Sequence, residues 1–360
     1  MAFDPEQPYN DLPPLPPPGV DLETKAVLRG AVAAARALAE LKGISDQIPN
    51  SDVLLRWATL REAKISSEIE NIFTTDDALY GAVGQPEPSS DPAIKEVQSY
   101  QAALWYGFGK LRGGGALSTN LFIELFQMIK GRTEGVRRIP GTRIADAAGH
   151  TIYTPLEGEQ VIRDKLADLE RFLYGSSELD PLIKMAVMHY QFEAIHPFSD
   201  GNGRTGRILN ILYLIEEKLL EQPTLYLSQY IIERKSDYYR LLRGVTQNGD
   251  WEAWILYMLE AVEHTARDTR DRVLRIRDVL TQATEDIRQH LPKIYSRELV
   301  DLIFEQPYCR IVNVEGAGIA GRKTASRYLK ALEGRGWLTA QQRGREQVFV
   351  NTRFLEILSH

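Results

Sequence analysis

The spacing of apolar side chains predicts a mostly helical protein. Apolar residues recur mostly at three- and four-residue steps, the period of a helix with one buried face. On this basis, helices are predicted over residues 22–41, 51–72, 94–111, 118–129, 160–174, 181–195, 203–220, 236–248 and 251–289. Strands and helices do not alternate along the chain, so a Rossmann-like sheet is not expected.

Two segments depart from the helical pattern. The proline-dense stretch DLPPLPPPGV, residues 11–20, cannot form a helix and is expected to be an extended arm. Residues 137–157 contain short β-prone pieces separated by Gly141, Gly149 and Pro155. This pattern predicts a small β-hairpin within an otherwise helical domain.

The character of the chain changes after Pro292. Two helical patterns, the second ending at Gly336, precede two β-prone pieces that join near Arg343. Helix, helix and β-wing is the order of a winged helix-turn-helix. The predicted organisation is therefore an N-terminal arm and helix region over 1–92, a helical domain over 93–290 and a winged helix-turn-helix over 293–360.

Composition and charge narrow the class of protein. The net charge is −6, so no global field attracts nucleic acid or an anionic membrane, and such contacts would need a local patch. Cys309 is the single cysteine, which excludes an internal disulfide and a multi-cysteine metal site. The chain shows no secretory signal pattern and no apolar run long enough to span a bilayer, so we expect a cytoplasmic protein.

The densest group of reactive side chains is HPFSDGNGRTGR, residues 196–207. The preceding apolar helix is expected to end at His196, because Pro197 disfavours helix at the residue before it. The next helix starts near Gly203 and is apolar almost all round, which is typical of a central core helix. The connecting loop should therefore be held between two buried helices.

Several groups in this loop suit a polyphosphate. Gly201 and Gly203 allow backbone N–H groups to point together at a helix N-terminus, where an anion is favoured. Asn202 adds a side-chain donor. Arg204 and Arg207 are three residues apart and share one helix face, so two guanidinium groups can grip a di- or triphosphate.

The remaining two groups suggest the chemistry. Asp200 offers a hard oxygen ligand beside the phosphates, as Mg²⁺ prefers, and His196 titrates near neutral pH and can take a proton from a hydroxyl. Together the groups describe nucleotide-dependent transfer to a hydroxyl. A P-loop is excluded, because GxxxxGK[ST] is absent and no strand precedes the glycines.

The same twelve residues match the Fic signature, HxFx(D/E)GNGRxxR, in full. The resemblance implies an all-α Fic-type domain that transfers AMP from ATP to a protein hydroxyl and releases pyrophosphate. It implies a general base at His196, an Mg²⁺ ligand at Asp200, a phosphate cradle at Gly201, Asn202 and Gly203, phosphate-binding arginines at Arg204 and Arg207, and a core anchor at Phe198.

A second motif lies at the end of the predicted helix 51–72. SSEIEN, residues 66–71, is the end of a helix and carries two carboxylates. It is either a solvated helix terminus or, because negative charge is unfavourable at a helix C-terminus, one whose carboxylate has a partner elsewhere in the chain, such as Arg207. The stretch resembles the (S/T)xxxE(G/N) inhibitory motif of Fic proteins at Ser66, Glu70 and Asn71. The resemblance implies that Glu70 pairs with Arg207 and restrains the enzyme. Removal of AMP, with Glu70 positioning a water, stays open.

The hairpin and one helix supply further candidates. GHTIYTP, residues 149–155, sits where Fic proteins carry a flap, so Thr151, Ile152, Tyr153 and the neighbouring His150 are expected to border the nucleotide and target; an ordinary turn is the alternative. SDYYRLL, residues 236–242, resembles a segment near the adenine pocket. Tyr238 or Tyr239 is expected to pack on the base, unless both are core residues.

The C-terminal segment has the opposite charge balance to the rest. Residues 295–360 carry ten Lys or Arg and seven Asp or Glu, a net charge of +3 that leaves −9 for the remainder. The predicted recognition helix bears Arg322, Lys323, Arg327 and Lys330. This outline suits DNA. The excess charge is slight, however, so protein or dimer contacts are favoured over DNA, and a passive role is the third alternative.

Two classes of function therefore compete. The first is an autoinhibited AMP-transferase that uses ATP and Mg²⁺ and acts on a Tyr, Thr or Ser hydroxyl of a target protein or of its own chain. The second is an ATP-sensing, winged-helix DNA-binding regulator. His196 favours the enzyme, because a sensor needs the phosphate nest but no base. Another nucleotide donor and a homodimer stay open.

Overall fold

The computed structural model describes residues 3–45, 51–82, 89–146, 148–175, 178–305, 307–343 and 346–359. These residues are mostly helical, with two small sheets, which confirms the predicted fold class. They divide into two compact units. The first unit comprises Met1–Lys42, Ala58–Ile72 and Glu96–Arg267, and the second comprises Gly43–Trp57, Phe73–Lys95 and Asp268–His360. The predicted boundaries at 92 and 293 stay predictions.

The first unit contains the predicted helical domain and its hairpin. Its elements, some of which continue into the second unit, are α1 (Lys25–Ser45), α2 (Ser51–Ile69), α4 (Pro92–Arg112), α5 (Thr119–Lys130), β1 (Ile144–Ala145), β2 (Thr151–Tyr153), α6 (Glu159–Tyr174), α7 (Pro181–Ile195), α8 (Asn202–Glu216), α9 (Ser228–Glu233), α10 (Lys235–Asn248) and α11 (Trp251–His290). Strands β1 and β2 pair antiparallel, which confirms the hairpin.

The second unit holds one short helix from the first third of the chain together with the C-terminal elements. They are α3 (Asp76–Ala82), α12 (Arg297–Glu305), β3 (Tyr308–Cys309), α13 (Ile311–Gly316), α14 (Arg322–Gly334), β4 (Thr339–Arg343), β5 (Glu346–Val350) and α15 (Thr352–Ser359). The three strands form one antiparallel sheet in the order β3-β5-β4. The helices and the β4–β5 hairpin follow the predicted order, and the winged helix-turn-helix assignment itself stays a prediction.

The core of the first unit is built around α7 and α8. Asp180 caps α7 by accepting from the Leu182 N–H at 2.8 Å, and Pro181 occupies its first turn, where no donor is lost. Nearly every residue of α7 and α8 is buried, as the all-round apolar pattern of α8 predicts. Such burial fixes the loop between the two helices.

The N-terminal arm packs on the hairpin side of this unit. The Tyr9 N–H donates to the Thr154 carbonyl at 3.0 Å, and Leu12 is buried. The Phe3 ring stacks on Tyr153 with centroids 6.1 Å apart. The arm therefore anchors to the segment that follows β2. No helix in the described ranges is long and apolar enough to cross a membrane.

Candidate functional site

The loop between α7 and α8 is shaped by two left-handed residues. His196 ends α7 with φ 50° and ψ 58°, and its N–H donates to the Phe192 carbonyl. Gly201 precedes α8 with φ 76°, a conformation that favours glycine. Between them, Phe198 is fully buried and stacks on Phe126 with centroids 4.3 Å apart. The loop is thereby pinned to the core, as predicted for Phe198.

Asn202 serves the loop with its side chain. Its Oδ1 accepts from the Phe198 N–H at 2.8 Å, and its Nδ2 donates to the Phe198 carbonyl at 2.9 Å. With the residue 2% exposed, this amide closes the turn and is not the outward donor that the sequence predicted. The backbone N–H groups of the first turn of α8 have no intrahelical acceptors and are the donors here that suit an anion.

Arg207 is buried and held by the end of α2. Its Nε donates to Ser66 Oγ at 2.8 Å, and its Nη2 donates to the Ser66 carbonyl at 2.9 Å and to Glu70 Oε1 at 2.8 Å. Glu70 also approaches the start of α8, since a Cβ on Gly203 would clash with Glu70 Oε1. The carboxylate thus occupies space beside the turn that is predicted to bind phosphate.

Asn71 has a structural place in the same motif. It adopts φ 61° just beyond α2, and its N–H donates to the Glu68 carbonyl at 3.0 Å. Asn tolerates the left-handed region better than most residues. Asn71 therefore ends the helix so that Glu70 can turn toward Arg207.

Four further charges form a closed set, here named the charge ring: Glu96, Lys130, Asp200 and Arg204. Lys130 Nζ lies 2.8 Å from Asp200 Oδ2 and 3.1 Å from Glu96 Oε1. Arg204 Nη1 lies 2.5 Å from Glu96 Oε2, and its Nη2 is 3.9 Å from Asp200 Oδ1. Both groups predicted to meet magnesium and phosphate are therefore engaged with other residues.

A cavity of about 210 Å³ opens beside the loop. Its walls include His196, Gly203, Arg207 and Glu70, so the predicted base, part of the phosphate cradle and the inhibitory glutamate face one space. Asp200 and Arg204 do not line it and meet in the charge ring instead.

The hairpin and α10 form the other side of the cavity. Ile152 and Tyr153 line it, whereas Thr151 does not, and the exposed His150 side chain lies against Asp146 at 3.3 Å. The Tyr153 hydroxyl donates to the Ala194 carbonyl at 2.7 Å, which ties β2 to α7.

Both tyrosines of α10 line the cavity. Tyr238 is 1% exposed, with its hydroxyl 2.9 Å from His189 Nε2, whereas Tyr239 is 38% exposed. Tyr238 thus belongs to the core and to the cavity wall at once, so its predicted contact with a base stays a prediction.

The charge state of His196 suits a proton acceptor. Burial lowers the pKa of its imidazole to about 4, with the nearby Arg137 charge contributing, against the opposing effects of the Glu193 backbone, Glu70 and Asp200. The ring is therefore neutral at physiological pH and can accept a proton.

The two predicted carboxylates are held in their charged form. Burial alone would raise the pKa of Glu70, but Arg207 outweighs it and holds the pKa below the usual value. Likewise, Lys130 and the Gly201 N–H outweigh burial and lower the pKa of Asp200.

Sequence reasoning did not single out four residues that complete the site. Lys130 and Glu96 close the charge ring, and Arg137 binds the backbone around His196. Glu193 lines the cavity with Oε1 unpartnered among the described residues, and burial raises the pKa of its carboxyl to about 7. The position of Glu193 in QFEAIHPF, three residues before His196, was the one local signal available.

Sequence models of known families match most of the chain. Residues 28–109 match the Fic/DOC family N-terminal domain and residues 116–214 match the Fic/DOC family domain. Residues 279–354 match the C-terminal domain described as protein adenylyltransferase SoFic-like. The chain belongs to the Fic/DOC family. Its C-terminal part is a SoFic-like domain.

Relatives and solved structures agree with this assignment. The chain is 33% identical over 113 residues to protein adenylyltransferase fic-1 of Caenorhabditis briggsae and 29% identical over 151 residues to that of Caenorhabditis elegans. These matches cover 31% and 41% of this chain but 21% and 27% of the relatives, so the chain spans less than a third of their length.

Two crystal structures share the fold. A Fic family protein from Desulfovibrio desulfuricans is 20% identical, with a TM-score of 0.57 over 91% of this chain and 96% of that one. A Fic domain containing signaling protein from Bacteroides thetaiotaomicron is 16% identical, with a TM-score of 0.52 over 68% of this chain and 96% of that one.

Proposed function

We propose that this protein transfers AMP from ATP to a Tyr, Thr or Ser hydroxyl of a target protein and that Glu70 restrains the reaction. The Fic/DOC domains and the relatives named protein adenylyltransferase support the class of reaction. The observation that carries the restraint is the 2.8 Å ion pair between Arg207 Nη2 and Glu70 Oε1.

The loop supplies what the transfer requires. His196 takes the proton of the target hydroxyl, whose oxygen forms a bond to the α-phosphorus of ATP. The bond from that phosphorus to the bridging oxygen breaks, and pyrophosphate leaves. Arg204, Arg207 and the N–H groups of the first turn of α8 stabilise the charge on the departing phosphates.

Asp200 is the proposed magnesium ligand, and the donor set fits that ion. Its carboxylate is 56% exposed, charged and next to the phosphate-binding turn. Among the described residues, no three or more His, Cys, Asp and Glu side chains group so as to hold a metal ion. One carboxylate completed by phosphate oxygens is a usual arrangement for Mg²⁺, which would offset phosphate charge when bound.

Glu70 is proposed to act by occupying Arg207. While the carboxylate accepts from Nη2, that guanidinium cannot grip the outer phosphate of ATP, and the buried pair needs a replacement anion to open. Substitution of Glu70 by glycine removes the competitor and leaves Arg207 held by Ser66 at 2.8 Å.

The decisive experiment measures AMP transfer from labelled ATP, with mass spectrometry of modified lysate proteins. Glu70→Gly should raise transfer about 10²-fold or more, because breaking such a pair is worth about 2–4 kcal/mol. Glu68→Gly is the matched control, since Glu68 pairs with Lys64 at 3.1 Å and not with the loop. His196→Ala in the Glu70→Gly background should abolish transfer.

Other outcomes of this experiment favour the alternatives. Equal activity of Glu70→Gly and wild type would contradict the restraint. Loss of AMP from pre-modified protein that requires Glu70 would support the reverse reaction, for which Glu70 in the cavity wall could position a water. ATP binding without transfer would support a nucleotide sensor.

The flap hairpin is the proposed docking site for the target. Strand β2 pairs with β1 along one edge in a two-stranded sheet, so an extended target segment can pair with the other edge. Ile152 and Tyr153 would bring that segment to the cavity wall beside His196. Tyr238 and Tyr239 would contact the base.

DNA is a second candidate partner, through the C-terminal unit. Helix α14 buries Ala325, Leu329 and Leu332, and its opposite face exposes Arg322, Lys323, Arg327 and Lys330. An exposed cationic helix face favours an anionic partner such as the DNA backbone.

A further inference from the structure

Arg137 is a buried cation whose hydrogen bonds go to backbone carbonyls. The residue is 7% exposed and forms no ion pair with a carboxylate in the part of the chain that the structure describes. Burying a charge without a direct ion pair costs several kcal/mol, and the nearby Glu157 charge offsets part of this cost. The backbone carbonyls that accept hydrogen bonds from this guanidinium therefore show which parts of the site it holds in place.

The contacts of Arg137 converge on the turn that carries His196. Its Nε donates to the His196 carbonyl at 2.7 Å, and its Nη2 reaches the Ile195 carbonyl at 3.5 Å. Its own backbone N–H donates to the Pro197 carbonyl at 2.9 Å. Three successive residues of the turn are thereby tied to one residue.

The same guanidinium also holds the end of the hairpin. Nη2 donates to the carbonyl of Leu156, three residues after β2 ends at Tyr153. Leu156 is fully buried, so this contact fixes the segment that returns from the flap. The position of the flap and the position of the His196 turn are therefore linked through Arg137.

The turn needs such support because of its backbone. His196 has φ 50°, which is uncommon for a residue other than glycine and persists only when surrounding contacts hold it. The direction of the Cα–Cβ bond, and with it the imidazole, follows from this conformation. Releasing the His196 carbonyl would let the turn relax and the ring move.

We propose that Arg137 is a positioning residue for the general base: it holds the His196 turn in its left-handed conformation and couples that turn to the flap. The inference rests on the proposed function only through the role given to His196. Because Arg137 does not line the cavity, it acts on the base and not on the nucleotide.

The positive charge of Arg137 has a second effect on the imidazole. After burial, it is the largest influence that lowers the pKa of His196, to about 4. The other charged or titratable side chains that line the cavity are Glu70 from α2, Tyr153 from β2, Tyr190 and Glu193 from α7, Arg207 from α8, and Tyr238, Tyr239 and Arg243 from α10. Asp200 of the loop also acts on His196, and it pairs with Lys130 from α5. Removing the Arg137 charge should therefore raise the pKa of His196.

The experiment uses the full chain in the Glu70→Gly background with Arg137→Gln, Arg137→Lys and, as control, Arg138→Gln. Arg138 is adjacent but exposed, and it pairs with Glu159 at 2.8 Å. The pKa of His196 is read by NMR on protein labelled in its six histidines, with the signal assigned by its loss in His196→Ala. The kcat and KM for ATP are measured across pH.

Arg137→Gln should lower kcat about tenfold or more with little change in the KM for ATP, raise the pKa of His196 and move the acid limb of activity to higher pH. Arg137→Lys should keep the low pKa yet lose kcat, because one ammonium cannot reach all three carbonyls. Arg138→Gln should match the parent protein.

A folded Arg137→Gln protein with unchanged kcat and unchanged pKa of His196 would overturn the inference. If Arg137→Gln does not fold, an Arg137→Lys variant with the same kcat as the Glu70→Gly parent would overturn it as well. The absence of AMP transfer in the Glu70→Gly parent would contradict the proposed function, while the NMR measurement would still test the link between Arg137 and His196.

Discussion

Two pairs of cations with the same spacing have opposite surroundings. Arg204 and Arg207 lie three residues apart near the start of α8, and each is 1% exposed. Arg327 and Lys330 lie three residues apart on α14, and both are exposed. The first pair meets carboxylates in the first unit, and the second pair faces solvent.

The difference comes from the rest of each helix. Helix α8 is apolar almost all round, so any charge on it is carried into the core and must be compensated there. Helix α14 has one buried face, so its cations stay solvated. Spacing alone thus does not distinguish a buried, ion-paired arginine from a surface one; the burial of its helix does.

The largest contrast is expected in stability. Arg207→Met should lower the free energy of unfolding by about 2–4 kcal/mol, because it leaves Glu70 without its counter-ion, although that side chain is 33% exposed and can be partly rehydrated. The matched Arg327→Met should stay within about 0.5 kcal/mol. Urea unfolding followed by circular dichroism measures both. Similar losses in the two variants would contradict the comparison.

A smaller effect is expected from the pH dependence of the Glu70 pair. Because the folded-state pKa of Glu70 is below its unfolded value, the pair stabilises the protein above the unfolded value and the benefit is lost as pH falls through the folded one. Glu70→Gln should therefore cost about 1–2 kcal/mol at pH 7 and progressively less below pH 4.5.

Thermal melts of the wild type and Glu70→Gln from pH 7 down to pH 3 measure how the difference in stability between the two proteins decreases. Glu68→Gln is the control, because the one ion pair of Glu68 among the described residues is the i,i+4 pair with Lys64, worth a few tenths of a kcal/mol. A Glu70→Gln deficit that persists unchanged at pH 3 would show that the carboxylate charge is not what holds Arg207.

The smallest effect is expected on α14. If the exposed face binds DNA, Lys330→Gln should weaken binding of a duplex only slightly, uniformly across sequences, and reduce the slope of log K against log salt by about 1. Fluorescence anisotropy at rising NaCl measures the slope. Lys110→Gln, which removes an exposed lysine paired with Glu124, is the control and should leave it unchanged.

The sequence predicted local features better than distant ones. The loop 196–207, the hairpin and the pairing of Glu70 with Arg207 followed from local patterns and a family resemblance, and the structure places them as expected. Asn202 differed, because its amide serves the Phe198 backbone. The spacing of residues in the sequence does not predict whether a buried amide forms hydrogen bonds with its own loop or with a ligand.

The charge ring and Arg137 could not be read from the chain. Lys130 ends α5 and Glu96 lies in the first turns of α4, yet they meet Asp200 and Arg204 about 70 and 108 residues further on. Arg137 reaches His196 across 59 residues. The local sequence around each of these residues would fit a solvated charge equally well. Their contacts depend on how whole helices pack, which local sequence does not show.

The ring formed by Glu96, Lys130, Asp200 and Arg204 bears on which ligand can enter first. The positive charges of Lys130 and Arg204 balance the two carboxylate charges of the ring. A divalent ion that bound Asp200 without a nucleotide would therefore remove one partner of Lys130. A polyphosphate that bound Arg204 without its ion would remove one partner of Glu96. When the ion and the polyphosphate enter as one complex, each displaced side chain meets a new group of opposite charge. If Asp200 binds magnesium and Arg204 binds phosphate as proposed, this arrangement should favour a nucleotide already complexed with its ion over either component alone.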